Sequence, residues 1–173
     1  MLYSGNEHFI VNGEEIGITM TDFWRWSHPD FLDSHRRTVL AKFIVASSIG
    51  LSDFRPQDKG GLWKPYDLLT GDGYRVQIES ASYLQSDDGE HPSHVSFPIP
   101  SWDADVYIFC LYKATMASQN PLDLDIWEFF ALPATELSEN KPSSITLPRL
   151  MELGIWQSDY YGITDAIKKA MDV

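Results

Sequence analysis

The chain has 173 residues, a length that fits one domain, and 43% of them are hydrophobic, as in a folded globular protein. Its single cysteine excludes an internal disulfide framework and is typical of a reducing compartment. The formal net charge of −12 disfavours nucleic-acid binding driven by overall basicity, because phosphate contacts need Lys and Arg. With no basic-then-apolar leader and no apolar run of bilayer length, the sequence predicts a cytoplasmic protein that makes no membrane contact.

The acidity is uneven along the chain. Residues 1–60 carry a net charge of −2, whereas residues 61–173 carry −10. A surface of that sign attracts a basic protein partner and repels DNA. Any function on DNA therefore requires a local basic patch.

The first 30 residues are predicted to form an N-terminal extension packed on the core of a single domain that spans residues 1–173. Asn12 and Gly13 form a turn dipeptide between two short alternating runs, which predicts a β-hairpin. Thr21 or Asp22 then provides the cap of a short helix rich in aromatic residues.

A longer helix is predicted from Asp33 or Ser34, with apolar residues at helical spacing and Gly50 as its stop signal. The segments that follow are assigned by their periodicity: strands at 64–70 and 74–83 joined by the turn 71–73, a loop or extended excursion at 85–103, buried strands at 105–113 and 125–133, a short strand at 143–147, and helical turns or helices at 133–139, 147–154 and 163–173. This order predicts an α/β or α+β fold with a mixed sheet.

The candidate site lies on the predicted hairpin. Gln77 and Glu79 are two residues apart on one strand, so their side chains share a face, and the short turn brings Asp67 opposite them. Two carboxylates and an amide oxygen are hard ligands that suit Mg²⁺. The spacing alone is not specific, because paired carboxylates are common on exposed strand faces.

The segments LAKFIVASSIG, PYDL, RVQIESASYLQS and ADVYIFCLY, in this order, resemble the PD-(D/E)xK nuclease superfamily, which has the restriction-endonuclease-like fold. More narrowly, they are similar to uncharacterised bacterial restriction-like proteins. The resemblance runs from about Arg37 to Leu132. It implies an αβββαβ core with a central mixed β-sheet flanked by helices, and hydrolysis of DNA phosphodiester bonds by Mg²⁺- or Mn²⁺-activated water.

Asp67 matches the aspartate of that superfamily, but three other positions depart from its pattern. Gln77 stands where an acidic metal ligand is expected, Glu79 where the lysine is expected, and Lys42 where such relatives have a helix glutamate. The charges of the helix and the strand are thus exchanged. The resemblance implies Asp67 as a metal ligand, Glu79 as a metal ligand or a base, and Gln77 as a weaker ligand through its neutral oxygen. It implies Lys42 as the group that orients water or stabilises developing charge.

The same residues allow a second interpretation. Lys42 and Glu79 form an internal ion pair beside Asp67, which is electrostatically satisfied without any metal. The protein is then a catalytically inactive restriction-like fold that acts as an acidic protein-interaction module for a basic partner. Under either interpretation two copies can pair as a homodimer.

Further polar residues are candidate substrate contacts. Ser80, Ser82 and Gln85 either contact the scissile phosphate or bond to nearby backbone groups. Arg36 and Arg37 either hold a DNA backbone or belong to a solvated helix face.

The remaining chemistry-bearing residues are assigned structural roles. His91 and His94 lack a third ligand and are read as loop residues, and Cys110 as a core residue. Trp63 is most simply a packing residue, with stacking on single-stranded nucleic acid as the alternative.

Overall fold

A computed structural model describes residues 4–27, 33–51, 66–85, 95–100, 103–137 and 142–172. The predictions for Trp63, His91 and His94 lie outside these residues. In the described part of the chain, no helix has the length and apolar character needed to cross a membrane.

Within the described residues the strands are β1 His8–Val11, β2 Glu14–Thr19, β3 Leu68–Leu69, β4 Arg75–Ser82, β5 Ser96–Pro98, β6 Val106–Tyr112, β7 Trp127–Pro133, β8 Ser144–Thr146 and β9 Trp156–Ser158. The α-helices over the same ranges are α1 Met20–Ser27, α2 Ser34–Ser48, α3 Leu147–Glu152 and α4 Ile163–Met171. Short 3₁₀ turns follow β4, precede β7 and follow β7.

The central sheet has the strand order β3-β4-β6-β7-β9 among the described strands. Strands β4 and β6 are parallel, and the other neighbouring pairs are antiparallel, so the sheet is mixed. All seven residues of β6 are buried, because its run VYIFCLY is apolar on both faces and the sheet is covered on both sides. The prediction of a buried central strand is confirmed.

Two layers cover this sheet. Residues of α2 and α4 share one apolar cluster with one face of β4, β6 and β7. The opposite face packs with the ribbon formed by β5 and β8 and with α3. The protein is therefore a mixed α+β fold with helices on both faces of a mixed sheet, as predicted. The finer αβββαβ arrangement stays a prediction.

Helix α2 carries the first candidate site residue, and its ends follow from local chemistry. The side chain of Asp33 accepts a hydrogen bond from the backbone N–H of Arg36 at 3.1 Å, which is an N-cap contact. Gly50 has a φ of 77°, a left-handed conformation that favours glycine and ends the helix. Ala41, Ile44 and Val45 of α2 are buried against the sheet.

The N-terminal residues form the predicted hairpin and helix. Asn12 and Gly13 have φ values of 53° and 84°, as a tight hairpin turn requires. Helix α1 begins at Met20, slightly before the expected start, because Thr19 and Asp22 bond to each other's backbone N–H groups as a reciprocal cap. No residue of α1 is buried.

Two strands were missed by the sequence patterns. β5 lies inside the range predicted as a loop or extended excursion, and β9 follows α3 where no strand was expected. Each has only three residues, too few to show alternation, and each is defined by its pairing with a distant strand.

Candidate active site

Asp67 lies against the edge of β4 that pairs with β3. It lies one residue before β3, and its backbone N–H donates to the carbonyl of Val76. Its side-chain Oδ2 accepts the backbone N–H of Ile78 at 2.8 Å. The carboxylate thus takes the place of a strand neighbour at the point where β3 has not yet begun, so Asp67 contacts the backbone of the second strand. The predicted convergence of Asp67 with the side chains of Gln77 and Glu79 stays a prediction.

Lys42 reaches this carboxylate from α2. Its Nζ lies 2.6 Å from Asp67 Oδ1, and the two side chains are 20% and 15% exposed. One oxygen of Asp67 therefore binds the ammonium while the other binds the strand backbone. Two segments far apart in sequence meet here.

Gln77 and Glu79 lie beside Asp67 but point to the other side of the sheet. The Nε2 of Gln77 donates to Glu79 Oε1 at 2.9 Å, and both side chains are buried. Val76 and Ile78 pack with α2, so by strand alternation Gln77 and Glu79 face away from that helix. The four residues thus form two polar pairs at β4, Lys42 with Asp67 toward α2 and Gln77 with Glu79 on the opposite face; we call this group the β4 recess.

Burial dominates the electrostatics of Glu79. Loss of solvent raises the pKa of Glu79 from 4.5 to about 7, although the hydrogen bond from Gln77 and the charge of Lys42 lower it. The negative charge of Asp67 raises it further. Lys42 and Asp67 are therefore close enough to act on Glu79 through their charges. The ion pair itself joins Lys42 to Asp67, and not to Glu79 as the second interpretation expected.

The side chains of the β4 recess are oxygen donors of the kind that a small divalent cation takes. Mg²⁺ is usually bound by one or two carboxylates together with substrate phosphates, and Asp67 and Glu79 are carboxylates on the two sides of β4. Lys42 already binds one oxygen of Asp67, so a cation would compete with it. Within the described ranges, no group of three or more His, Cys, Asp or Glu side chains converges.

The two serines of β4 that were candidate substrate contacts form hydrogen bonds within the protein. Ser80 Oγ lies 2.8 Å from Thr38 Oγ1 of α2, and Ser82 Oγ accepts the backbone N–H of Leu84 at 3.1 Å. Gln85 closes the 3₁₀ turn after β4. Both serines are buried. Ser82 bonds to a nearby backbone group, as the second interpretation of these residues states, whereas Ser80 bonds to a side chain of α2.

The two arginines of α2 differ from each other. Arg37 is 1% exposed, which corrects the interpretation of this position as part of a solvated helix face or as a phosphate contact. Burial lowers the pKa of Arg37 below its usual value, while the charges of Asp33 and Tyr112 raise it. Arg36 stays partly exposed. Of the three basic residues of α2 near the site, Arg36, Arg37 and Lys42, only Arg36 therefore stays at the surface without a carboxylate partner of the site, because Arg37 is buried and Lys42 is paired to Asp67.

Thr38 is a member of the site that sequence reasoning missed. It lies one helical turn before Lys42 and contacts Ser80, the neighbour of Glu79. A signal was present, because residues at i and i+4 share a helix face and Lys42 was already assigned to the site.

Comparison with known proteins leaves the function open. No family model matches the chain, and no curated protein matches it. The functional conclusion therefore depends on the geometry of the β4 recess and on the sequence pattern around it.

Proposed function

We propose that this chain is a nuclease-like protein of the restriction-endonuclease-like fold that hydrolyses DNA phosphodiester bonds at the β4 recess. The observation that carries the proposal is the 2.6 Å contact between Lys42 and Asp67. An exchange of charge between Lys42 and Glu79 preserves a site only if both positions adjoin Asp67. Lys42 contacts this carboxylate directly, and the charges of Lys42 and Asp67 both act on Glu79.

The fold supports this proposal at the level of its framework. Helix α2 is followed by the antiparallel pair β3 and β4, as at the start of the αβββαβ order that the nuclease resemblance implies, and the buried strand β6, parallel to β4, comes after β5. The site residues come from the helix and from the pair of strands. This placement matches the superfamily pattern residue by residue at Asp67, and by exchanged charge at Lys42 and Glu79.

Asp67, Glu79 and the amide oxygen of Gln77 would hold Mg²⁺ or Mn²⁺, which when bound lowers the pKa of a water ligand and offsets charge on phosphate. The Lys42 ammonium stabilises the negative charge that develops on the phosphate oxygens. Glu79, with its pKa raised to about 7, is partly ionised near neutral pH and can accept a proton there.

The decisive variant is Asp67→Asn, which removes the charge but keeps an oxygen for the Ile78 N–H. We expect Mg²⁺- or Mn²⁺-dependent cleavage of duplex DNA to fall by at least about 100-fold, because the group that binds both Lys42 and a cation loses its charge. Cleavage is measured on a plasmid by gel electrophoresis.

Asp105→Asn is the matched control, since Asp105 pairs with Arg75 at the start of β4 and lies outside the recess. It should cleave DNA as the unmodified protein does. Full activity in Asp67→Asn would remove Asp67 from the mechanism.

A second candidate function is a non-catalytic module that binds a basic protein. It is favoured by a specific observation: each oxygen of Asp67 already has a partner, and Glu79 is bound to Gln77, so the recess is electrostatically satisfied as it stands. The net charge of −10 over residues 61–173 supplies the attraction for a basic partner.

Titration calorimetry with Mg²⁺ and Mn²⁺ separates the two functions. Binding in the micromolar to millimolar range that Glu79→Ala removes supports the nuclease. Absence of heat, together with absence of cleavage, supports the interaction module.

A further inference from the structure

Thr38 of α2 and Ser80 of β4 form a polar bond between helix and strand, close to the ion pair of Lys42 with Asp67. Thr38 Oγ1 lies 3.0 Å from the carbonyl oxygen of Ser34 and 2.8 Å from Ser80 Oγ. A carbonyl can only accept, so the single hydroxyl hydrogen of Thr38 goes to Ser34. Ser80 is then the donor to Thr38, and the bond between helix and strand has a defined direction.

We infer that Thr38 and Ser80 are positioning residues that set the register of α2 on β4 and so place the Lys42 ammonium on Asp67. The inference deepens the proposed function and depends on it only for the catalytic role of Lys42. Ala41, Ile44 and Val45 of α2 add apolar contacts with the same face of the sheet. Apolar packing holds a helix against a strand but has no preferred direction along it.

The spacing of the two polar contacts agrees with this role. From Thr38 to Lys42, one helical turn advances about 6 Å along α2. From Ser80 back to Ile78, two residues of β4 cover about 6.6 Å. The bond at Thr38 therefore brings residue 42 level with Ile78, whose N–H is held by Asp67. A slip of one helical residue would shift α2 by about 1.5 Å and turn it by about 100°, which would carry Lys42 away from Asp67.

The test measures how well Lys42 is protected by its partner. Lysines are acylated with a limiting amount of an amine-reactive acetylating reagent, and peptide mass spectrometry gives the rate at Lys42 relative to the exposed Lys168. We expect Thr38→Val, which keeps the shape and removes the hydroxyl, to raise this ratio several-fold. Thr38→Ser, which keeps the hydroxyl, should restore the original ratio.

The double variant Thr38→Val with Ser80→Ala separates positioning from stability. It removes both partners, so no buried hydroxyl is left unsatisfied and the thermal midpoint should return toward that of the unmodified protein. The Lys42 ratio should nevertheless stay raised. A ratio that returns with the midpoint, or a Thr38→Ser variant as reactive as Thr38→Val, overturns the inference.

The outcome is distinguishable from failure of the proposed function. If the unmodified protein does not cleave DNA but the labelling pattern holds, the nuclease proposal fails and the register assignment stands. If the protein cleaves DNA but Thr38→Val leaves the Lys42 ratio unchanged, only the register assignment fails.

Discussion

A buried carboxyl group with a raised pKa destabilises a folded protein in its ionised form. Glu79 lies on the face of β4 away from α2, and its charge is only partly offset by Gln77 and Lys42. A buried carboxyl group with a raised pKa is the kind of group that the proposed proton transfer or cation binding requires.

This property gives a prediction for Glu79→Gln. Well below pH 4.5 both the folded and the unfolded protein carry neutral Glu79, so the favourable neutral state is fully present. Between pH 4.5 and about 7 the unfolded chain ionises while the folded protein still holds the proton, so stability is lost over this range and is fully lost above the folded pKa. The shift corresponds to at most about 3 kcal/mol between pH 4 and pH 8, and Glu79→Gln should abolish this part of the pH dependence.

Urea unfolding at a series of pH values measures the effect. Glu152→Gln is the control for loss of one negative charge, because Glu152 lies on the exposed side of α3. Equal pH profiles for Glu79→Gln and the unmodified protein would show that the burial of Glu79 carries no such penalty.

At the scale of elements, the β4 recess is built by one helix and one strand. Helix α2 contributes the ammonium of Lys42 and the hydroxyl of Thr38, and β4 contributes the Ile78 N–H that Asp67 binds, together with the carboxyl group of Glu79 and the amide of Gln77. The site therefore depends on the relative placement of α2 and β4 more than on either element alone.

This dependence predicts the outcome of a charge exchange. Lys42→Glu places a second carboxylate beside Asp67, and Glu79→Lys buries a second ammonium, so each single variant should lose about 3 kcal/mol of stability and its cleavage activity. The double variant restores one ammonium and two carboxylates. We expect it to recover about 1–3 kcal/mol relative to the sum of the single effects.

Urea midpoints and plasmid cleavage, measured on all four proteins, complete the cycle. Simple additivity of the two single losses would show that Lys42 and Glu79 do not share a site. The exchange of charges implied by the nuclease resemblance would then have no physical basis in this chain.

The parts of the fold that the sequence predicts are those with strong local signals. Helix α2 has a cap at Asp33 and a stop at Gly50, and β6 is an unbroken apolar run, so their positions follow from short-range chemistry. The three-residue strands β5 and β9 have no such signal. They exist because a distant strand provides their hydrogen bonds.

The candidate site also has a part that the sequence predicts and a part that it does not. The approach of Asp67 to β4 follows from the hairpin. Lys42 is predicted beside it by the nuclease resemblance, in which Lys42 and Glu79 exchange charge. The burial of Arg37 and the bond between Thr38 and Ser80 were not predictable, because they depend on which side of α2 meets the sheet. Helical spacing gives the faces of a helix but does not say which polar residue is buried.

At the scale of the whole molecule, the net charge opposes the proposed substrate. A protein of charge −12 repels a polyanion, and within the described residues the basic side chains near the recess are few. Association with DNA must overcome this repulsion before the local contacts of Lys42 can act.

The affinity for DNA should therefore not fall as the salt concentration rises. Raising monovalent salt from about 10 mM to about 150 mM shortens the Debye length from about 30 Å to about 8 Å and screens the long-range repulsion. We expect affinity for a labelled duplex, measured by fluorescence anisotropy, to stay level or rise over this range. A steep fall, as in basic DNA-binding proteins, would reveal phosphate contacts that the acidic surface does not suggest.

Cys110 stands in the middle of β6, where it is fully buried and where burial, together with the charges of Glu79 and Asp67, raises the pKa of its thiol. Because it is the sole cysteine of the chain, its reactivity measures how often the sheet opens at β6. A thiol-specific dye should leave the native protein unlabelled and react in proportion to the population in which β6 is uncovered. The recess variants can thus be ranked by opening free energy without introducing any new probe.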